Sequence, residues 1–343
     1  MPNANLTATT RELWERTRVT EVYYAMPLYA ALLDQQKKSW INGTKLKRTV
    51  IKDTLESLAQ SYDINEALTS GKKTIYDTLE FDWKRWQLPV SYTDEDAENT
   101  GGGDAAPVDL VAGLIEASRH GARIKLNQMA YATPAAGAAK KDFLGLADAL
   151  DHSQSYGGKT RSASTNTWLQ SVSLDGTYTD QDDNITASIA NFRKIRSACQ
   201  QYAPGAKPAD FVAICGSDLF QAFQSQIEAR HLYVRTGETP LAGYGFNTIN
   251  IDGVELVEDP SLNLDLNNGT SGNGDYTPEW LFMLHKPDWE LRLHPDRALV
   301  LTDFVWQGEQ TGGKDESLAR VMAKGNLVCW RPRASCWRSY ATA

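Results

Sequence analysis

The 343-residue chain holds four cysteines, Cys199, Cys215, Cys329 and Cys336. They are too few and too scattered for a disulfide framework and fit a reducing compartment. Positive charge is also in deficit. The 35 lysines and arginines stand against 43 aspartates and glutamates, a formal net charge of −8, which excludes the global basic footprint of a sequence-specific DNA or RNA reader. No run approaches the about 18 apolar residues of a membrane span, and MPNANLTATTRELWERTR has no positive segment followed by an apolar one. Neither a span nor a secretory leader is expected, so the Asn-x-Thr sequons at Asn5, Asn42, Asn184 and Asn268 carry no weight.

Catalytic patterns are missing as well. His120, His152, His231, His285 and His294 form no HExxH or comparable pair on one helix face. No GxSxG elbow occurs, and CGSDL at 215–219 reads as a helix start with Ser217 or Asp218 as cap. Gly101-Gly102-Gly103 lacks a P-loop ending and reads as a hinge, while Asp265, Asn267 and Gly269 lack the closing glutamate of a calcium loop. The expectation is a protein that is not an enzyme, with no cofactor and no metal.

What is present is a patterned chain long enough for about two domains. Its ten tryptophans lean toward packed surfaces and interfaces. Residues 1–43 form an arm, ELWERTRVTEVYYAMPLYAALLDQQKKSW, broken by Pro27 and without a core of its own. In TIYDTLEFDWKRWQL, Ile75, Leu79, Phe81 and Trp83 alternate with Tyr76, Thr78, Glu80, Asp82 and Lys84, a strand with one apolar face. GTKLKRTVIKDTL can partner it, so 44–92 reads as a long β-hairpin whose tip is polar. After Asp104 as N-cap and Pro107 in the first turn, Val108, Leu110 or Val111, Leu114, Ile115, Ala122, Leu126 and Met129 recur at helical spacing over 105–132. Helix and strand alternate over 171–287. Two long extended segments then flank the turn Thr311-Gly312-Gly313-Lys314.

Near the end, CWRPRASCWRS holds two Cys-Trp-Arg triplets. A shared metal or disulfide needs Cα atoms within about 7 Å, whereas seven extended residues span about 23 Å. Only a turn at Arg331-Pro332 would bring Cys329 and Cys336 together, and no further Cys pair or His lies close enough to complete a zinc site. Extended chain with buried thiols is the simpler reading.

The order of these parts, with FDWKRW, YGGKTRS and the final WRPRASCW, resembles the major capsid proteins of tailed bacteriophages with the Hong Kong 97-type fold. The resemblance implies an α+β chain: N-arm 1–43, extended loop 44–92, peripheral domain 93–170 and 288–331 with its spine helix, and axial domain 171–287 and 332–343. It places Tyr156-Gly157-Gly158 and Arg161-Ser162 at the crossing toward the axial domain. Arg331-Pro332 falls where the last peripheral strand enters the axial sheet, so Cys329 and Cys336 would lie in different domains. The implied role is self-assembly into pentamers and hexamers of an icosahedral shell around phage dsDNA, without sequence-specific binding and without a membrane. A separate scaffolding protein and a portal are implied partners, and the location is the virion capsid, assembled in the host cytoplasm.

A hairpin and arm of this kind would expose apolar surface for neighbours to cover. The expected intersubunit contacts are Trp14, Tyr23, Tyr24, Leu79, Phe81, Trp83, Lys84, Arg85, Trp86 and Lys314, with Leu28 of the arm covered in the same way. Lys72, Lys73 and Asn326 are superficially placed for a covalent cross-link, which is not expected to form. The competing readings are an encapsulin-type nanocompartment shell and an α/β enzyme.

Overall fold

The β-strand periodicity around Leu79 and Phe81 and the helical periodicity after residue 105 both appear in the computed structural model. It describes residues 26–32, 36–38, 44–53, 55–64, 66, 71–93, 95–96, 106–131, 141–152, 155–162, 164–172, 185–229, 246–263, 280–307 and 316–341. Trp14, Tyr23, Tyr24, Lys314, His231, the Gly101 hinge, the Asp104 cap and the 266–276 loop lie outside those residues.

A short helix α1 (Pro27–Ala31) and a strand β1 (Gln36–Lys38) precede the hairpin strands β2 (Lys45–Ile51) and β3 (Tyr76–Asp82). Then come β4 (Lys84–Thr93), the long helix α2 (Ala106–Tyr131), α3 (Leu146–Leu150), and the small pair β5 (Ser155–Tyr156) and β6 (Lys159–Thr160). The middle of the chain supplies β7 (Ile185–Thr186), α4 (Ile189–Gln201), β8 (Phe211–Cys215), α5 (Ser217–Ala229), β9 (Thr248–Ile251), β10 (Val254–Glu258) and β11 (Trp280–His285). The last third holds β12 (Trp289–Leu293), β13 (Val300–Leu301), β14 (Val305–Trp306), β15 (Glu316–Cys329) and β16 (Cys336–Ala341).

β2 and β3 pair antiparallel from Lys45 opposite Asp82 to Ile51 opposite Tyr76. The ladder stops at Trp83, where the chain leaves the hairpin. β4 instead pairs with β15, from Lys84 opposite Gly325 to Thr93 opposite Glu316. The two-stranded hairpin therefore ends at residue 82 and not 92. The phase of burial shifts with it: Leu79 and Phe81 are buried at odd positions, Trp86 and Val90 at even ones, because Trp83 belongs to neither strand and slips the period-two pattern by one residue.

β15 is the spine of the first sheet, with β4 along one edge and β14, β13 and β12 in turn along the other; β1 adds to β12 in parallel. The expected first extended segment is thus broken into three short strands, with a 3-10 turn at Pro295–Arg297 between the first two. Pro295 with the turn at Asp296, and the irregular chain at Asp303, interrupt it within LHPDRALVLTDF, while the second segment runs unbroken for 14 residues. Helix α2 lies on the β4 side of this sheet and buries Val111, Ile115, Ala122, Leu126 and Met129. A Cβ at Gly121 would meet Leu88 Cδ2 of β4 at 3.5 Å, ordinary contact distance.

The second sheet runs β7-β16-β11-β8-β10-β9. Residues alternate across it: Phe211, Ala213 and Cys215 pack beneath α4 and α5 with Phe192, Ile195 and Phe223, while Val212 and Ile214 face the main core. FVAIC is apolar throughout because both its faces are covered. Ser188 caps α4 by accepting the Asn191 N–H at 3.1 Å. The β9–β10 turn uses Asp252 (φ 50°) and Gly253 (φ 84°), the positive-φ pair that a tight hairpin turn demands.

CWRPRASCWRS is the seam between the sheets. Cys329 ends β15 in the first and Cys336 opens β16 in the second, with a 3-10 turn at Pro332–Ala334 between them. All four cysteines are free and buried. Pro27 opens α1 instead of breaking a helix, and Leu28 and Tyr29 sink into the main core, with Tyr29 Oη donating to the Leu126 carbonyl at 3.3 Å. Leu28 is covered by its own chain, which corrects the expectation that a neighbour covers it.

Candidate assembly surfaces

The root of the hairpin is closed by its own subunit. Leu79, Phe81 and Trp86 are 0%, 3% and 8% exposed. Phe81 meets the Tyr156 ring edge-on at 4.9 Å and the Trp330 ring at 5.5 Å. Trp83 is half-buried, with the His294 ring 6.0 Å away and Lys324 Nζ 5.4 Å from its centroid. These four side chains were expected at an exposed interface, and the structure places them in or against the subunit core. Of their basic neighbours, Lys84 is half-buried and Arg85 is exposed.

Several long-range ties explain the closure. The Glu80 N–H donates to the Gly157 carbonyl at 3.1 Å, and Lys159 Nζ reaches Asp77 at 2.8 Å. Arg48 pairs with the buried Glu290 at 3.0 Å and lies over the Trp330 ring. Asn326, wholly buried, donates to the Asp82 carbonyl at 3.1 Å and accepts the Leu144 N–H at 2.9 Å.

YGGKTR forms a clasp at this point. Gly157 (φ 58°) and Gly158 (φ 79°) turn β5 into β6, and Tyr156 Oη accepts the Cys329 N–H at 2.8 Å. Arg161, fully buried, donates to the Ala149 carbonyl at 2.7 Å and to the Asp148 carbonyl, and its guanidinium lies over Tyr156. Burial pulls the Arg161 pKa down, against the pull of Asp151, Tyr156 and Asp148 in the other direction. Burial likewise pushes the Tyr156 phenol and the Cys329 thiol well above their ordinary values, so both stay protonated. The sequence marked this stretch, but not the tying role of Arg161: an arginine in a small polar segment reads the same whether exposed or enclosed.

The far end of the hairpin is the opposite. Ile51 and Tyr76, paired across the ladder, are 66% and 63% exposed, and Ile64 is 95% exposed. Leu55, Leu58 and Tyr62 are exposed beside them. Sequence reasoning passed over these residues because they are spread through a polar segment with no clean period. Their sparse spacing at 51, 55, 58, 62 and 64 was the available signal.

Among the described residues no cluster of three His, Cys, Asp or Glu side chains is placed to hold a metal ion. No described helix is long and apolar enough to cross a membrane. His152 hydrogen-bonds Ser171 at 2.7 Å and His285 bonds Asp288 at 2.7 Å, both within the packed interior.

The chain matches no protein-family model and no curated protein by sequence. Its fold does match solved structures. The capsid subunit of cyanophage A-1(L) superposes with a TM-score of 0.64 at 11% identity, covering 92% of this chain and 93% of that one. The chain has the Hong Kong 97-type capsid fold. The capsid of cyanophage Pam1 matches with a TM-score of 0.52 at 12% identity over 91% of this chain and 93% of that one. The capsid of Myoviridae phage XM1 gives 0.51 at 10% identity over 91% and 92%. This capsid fold spans nearly the whole chain. Within it the hairpin root is settled inside the subunit and the hairpin tip is not.

Proposed function

We propose that this chain is a structural, non-enzymatic major capsid protein of a tailed bacteriophage, assembling into pentamers and hexamers of an icosahedral shell around dsDNA. The observation that carries the reading is the apolar hairpin tip on a chain with a capsid-type fold over nearly its whole length. Large side chains at the tip gain about 1.5–3 kcal/mol each when a neighbour covers them, a strong reason for subunits to interlock. A contact between a tip and a different surface of the next copy is head-to-tail and closes into rings.

In this reading the β15 sheet with α2 is the peripheral domain, and the second sheet with α4 and α5 is the axial domain. Trp14, Tyr23, Tyr24, Lys84, Arg85 and Lys314 remain candidate contacts. The tip residues Ile51, Leu55, Leu58, Tyr62, Ile64 and Tyr76 take the place of Leu79, Phe81, Trp83 and Trp86. A scaffolding protein, a portal and non-specifically packaged DNA complete the partners, in the virion and during assembly in the host cytoplasm; the net charge of −8 suits a container that does not grip its cargo. The test is electron microscopy and sizing of the purified chain. Capsomers, shells or tubes are expected, and a clean monomer at high concentration across several salt conditions would overturn the proposal.

A further inference from the structure

Three described segments carry the chain between the two layers. One runs from Leu169 in the main core to Val172 in the core beneath α4 and α5. Another leaves β11 for β12 through a 3-10 turn at Lys286–Asp288, and the last leaves β15 for β16 through the turn at Pro332–Ala334. Short connections of this kind are where two packed layers swing against each other unless something ties them.

Here all three are tied to one another. The hydroxyl of the wholly buried Ser335 accepts the His285 N–H at 3.2 Å and the Trp289 Nε1–H at 3.1 Å, and the Ser335 carbonyl accepts the Val172 N–H at 3.3 Å. Asp288 answers from the facing turn. Its carbonyl accepts the Trp330 N–H at 2.9 Å, and its carboxylate accepts Arg331 Nε at 2.9 Å and Nη2 at 3.2 Å, with His285 Nδ1 2.7 Å away. A second anchor lies apart from this one. Tyr131, the last residue of α2, donates its hydroxyl to Asp259 at 2.7 Å, both side chains being buried, and its ring lies 5.8 Å from that of Phe282 in β11. Register sets Asp259 just beyond the row Glu258–Cys215–Leu281, whereas His285 is at the other end of β11. Four strand residues separate the two anchors, about 13 Å.

A single anchor would leave a pivot. Two anchors this far apart leave none, and the apolar core that holds Phe282, Leu284 and Trp337 of the second sheet also holds Trp289 and Leu327 of the first. We infer that the Asp288–Arg331–Ser335 tie and the Tyr131–Asp259 bond together lock the angle between the two layers, so that the subunit is one rigid body with a preset inter-layer angle. Arg331 is the member of this lock that solvent reaches, with 43% of its side chain exposed against 14% for Asp288. The lock stands on these contacts alone. Its consequence rests on the shell reading above: a fixed angle gives the assembling rings one curvature instead of several.

The test measures the angle directly in the full chain. Spin labels on Arg320→Cys, exposed on β15, and Gln224→Cys, exposed on α5, report the distance between the layers by double electron–electron resonance, in labelled chain diluted with unlabelled chain; the four native cysteines are buried and stay unlabelled. With the lock intact the distance distribution should be narrow. Asp288→Ala, Arg331→Ala and Tyr131→Phe together should broaden it by about twofold or more. Circular dichroism checks that the released chain folds, and the milder pair Arg331→Ala with Tyr131→Phe, which should broaden the distribution in the same direction, serves if it does not. A distribution already broad with the lock intact, or one that keeps its width in the released chain, would overturn the lock and leave the shell reading standing, since this measurement needs no assembly. In assembled particles the released chain should give mixed diameters. Uniform particles from a chain whose label distances have broadened would overturn the step from lock to curvature.

Discussion

Arg48 and Glu290, 242 positions apart in the chain, meet at 3.0 Å where the hairpin crosses β12, with Glu290 only 1% exposed. Arg292 binds the same carboxylate at 2.8 Å. Arg48→Ala therefore strips Glu290 of one cationic partner, together with the guanidinium over Trp330. The subunit should lose about 1–2 kcal/mol, less than a fully unpaired buried charge costs because Arg292 remains and Arg48 is half exposed. Urea unfolding of the isolated subunit measures it, and an unchanged midpoint would show that the pair does not anchor the hairpin.

Root and tip of the hairpin should respond oppositely to truncation. Phe81→Ala removes a core ring and should destabilise the subunit by about 3–5 kcal/mol, with Trp83→Ala falling below that because its ring is half exposed. Leu58→Ser and Ile64→Ser should leave subunit stability within about 0.5 kcal/mol while abolishing assembly. Comparing unfolding midpoint with particle yield for each variant separates the two. A stable Phe81→Ala subunit that fails only in assembly would return the root to the interface.

Two adjacent glycines should differ under the same substitution. At Gly157 a Cβ would lie 2.8 Å from Leu79 Cδ2 and 3.2 Å from Phe81 Cζ, whereas at Gly158 it would meet nothing within 4 Å. Both hold positive φ. Gly158→Ala should cost about 1 kcal/mol from backbone strain alone, and Gly157→Ala about 2–4 kcal/mol because the clasp must also move off the hairpin. Equal losses at the two positions would contradict the close approach.

The Lys159–Asp77 tie predicts a pH dependence. Partial burial works to raise the Asp77 pKa, but the Lys159 hydrogen bond, the Thr78 N–H and the charges of Lys159 and Lys52 outweigh it and hold the carboxyl below its ordinary value. A depressed folded-state pKa gives stability that is present above the unfolded value of about 3.9 and is lost as pH falls through the folded one. Lys159→Met should therefore unfold earlier than wild type at neutral pH, with the gap closing as pH falls through the depressed folded-state value of Asp77. A gap that persists undiminished in acid would assign the loss to packing instead of charge.

Cross-linking through Asn326 is not expected. Its amide is fully buried, with the oxygen on the Leu144 N–H and the nitrogen on the Asp82 carbonyl, and Lys73 pairs with Asp53 at 2.7 Å within its own hairpin. Boiled, reduced particles should migrate as a single band at the subunit mass. A ladder of multimers that disappears on Asn326→Ala would refute this.

Local periodicity made much of this fold legible. The 3.6-residue recurrence from Val111 to Met129 set α2, the alternation at Leu79 and Phe81 set β3, and the uninterrupted FVAIC reads as a buried strand, because each pattern is a direct projection of element geometry onto the chain. Absences were equally informative: without ligand spacing or a nucleophile motif, Cys329 and Cys336 read as packing thiols, and they are buried in two different sheets. What the sequence could not decide is which apolar side chains of the hairpin are covered. Leu79, Phe81 and Trp86 look no different from Ile51, Ile64 and Tyr76 by residue type; the first three are enclosed by Tyr156, Trp330 and the β15 sheet, the last three by nothing in the described chain. That division depends on contacts between positions up to 244 apart, and a contact of that range leaves no trace in the local pattern, so only the tertiary structure could assign the root to the core and leave the tip for a neighbour.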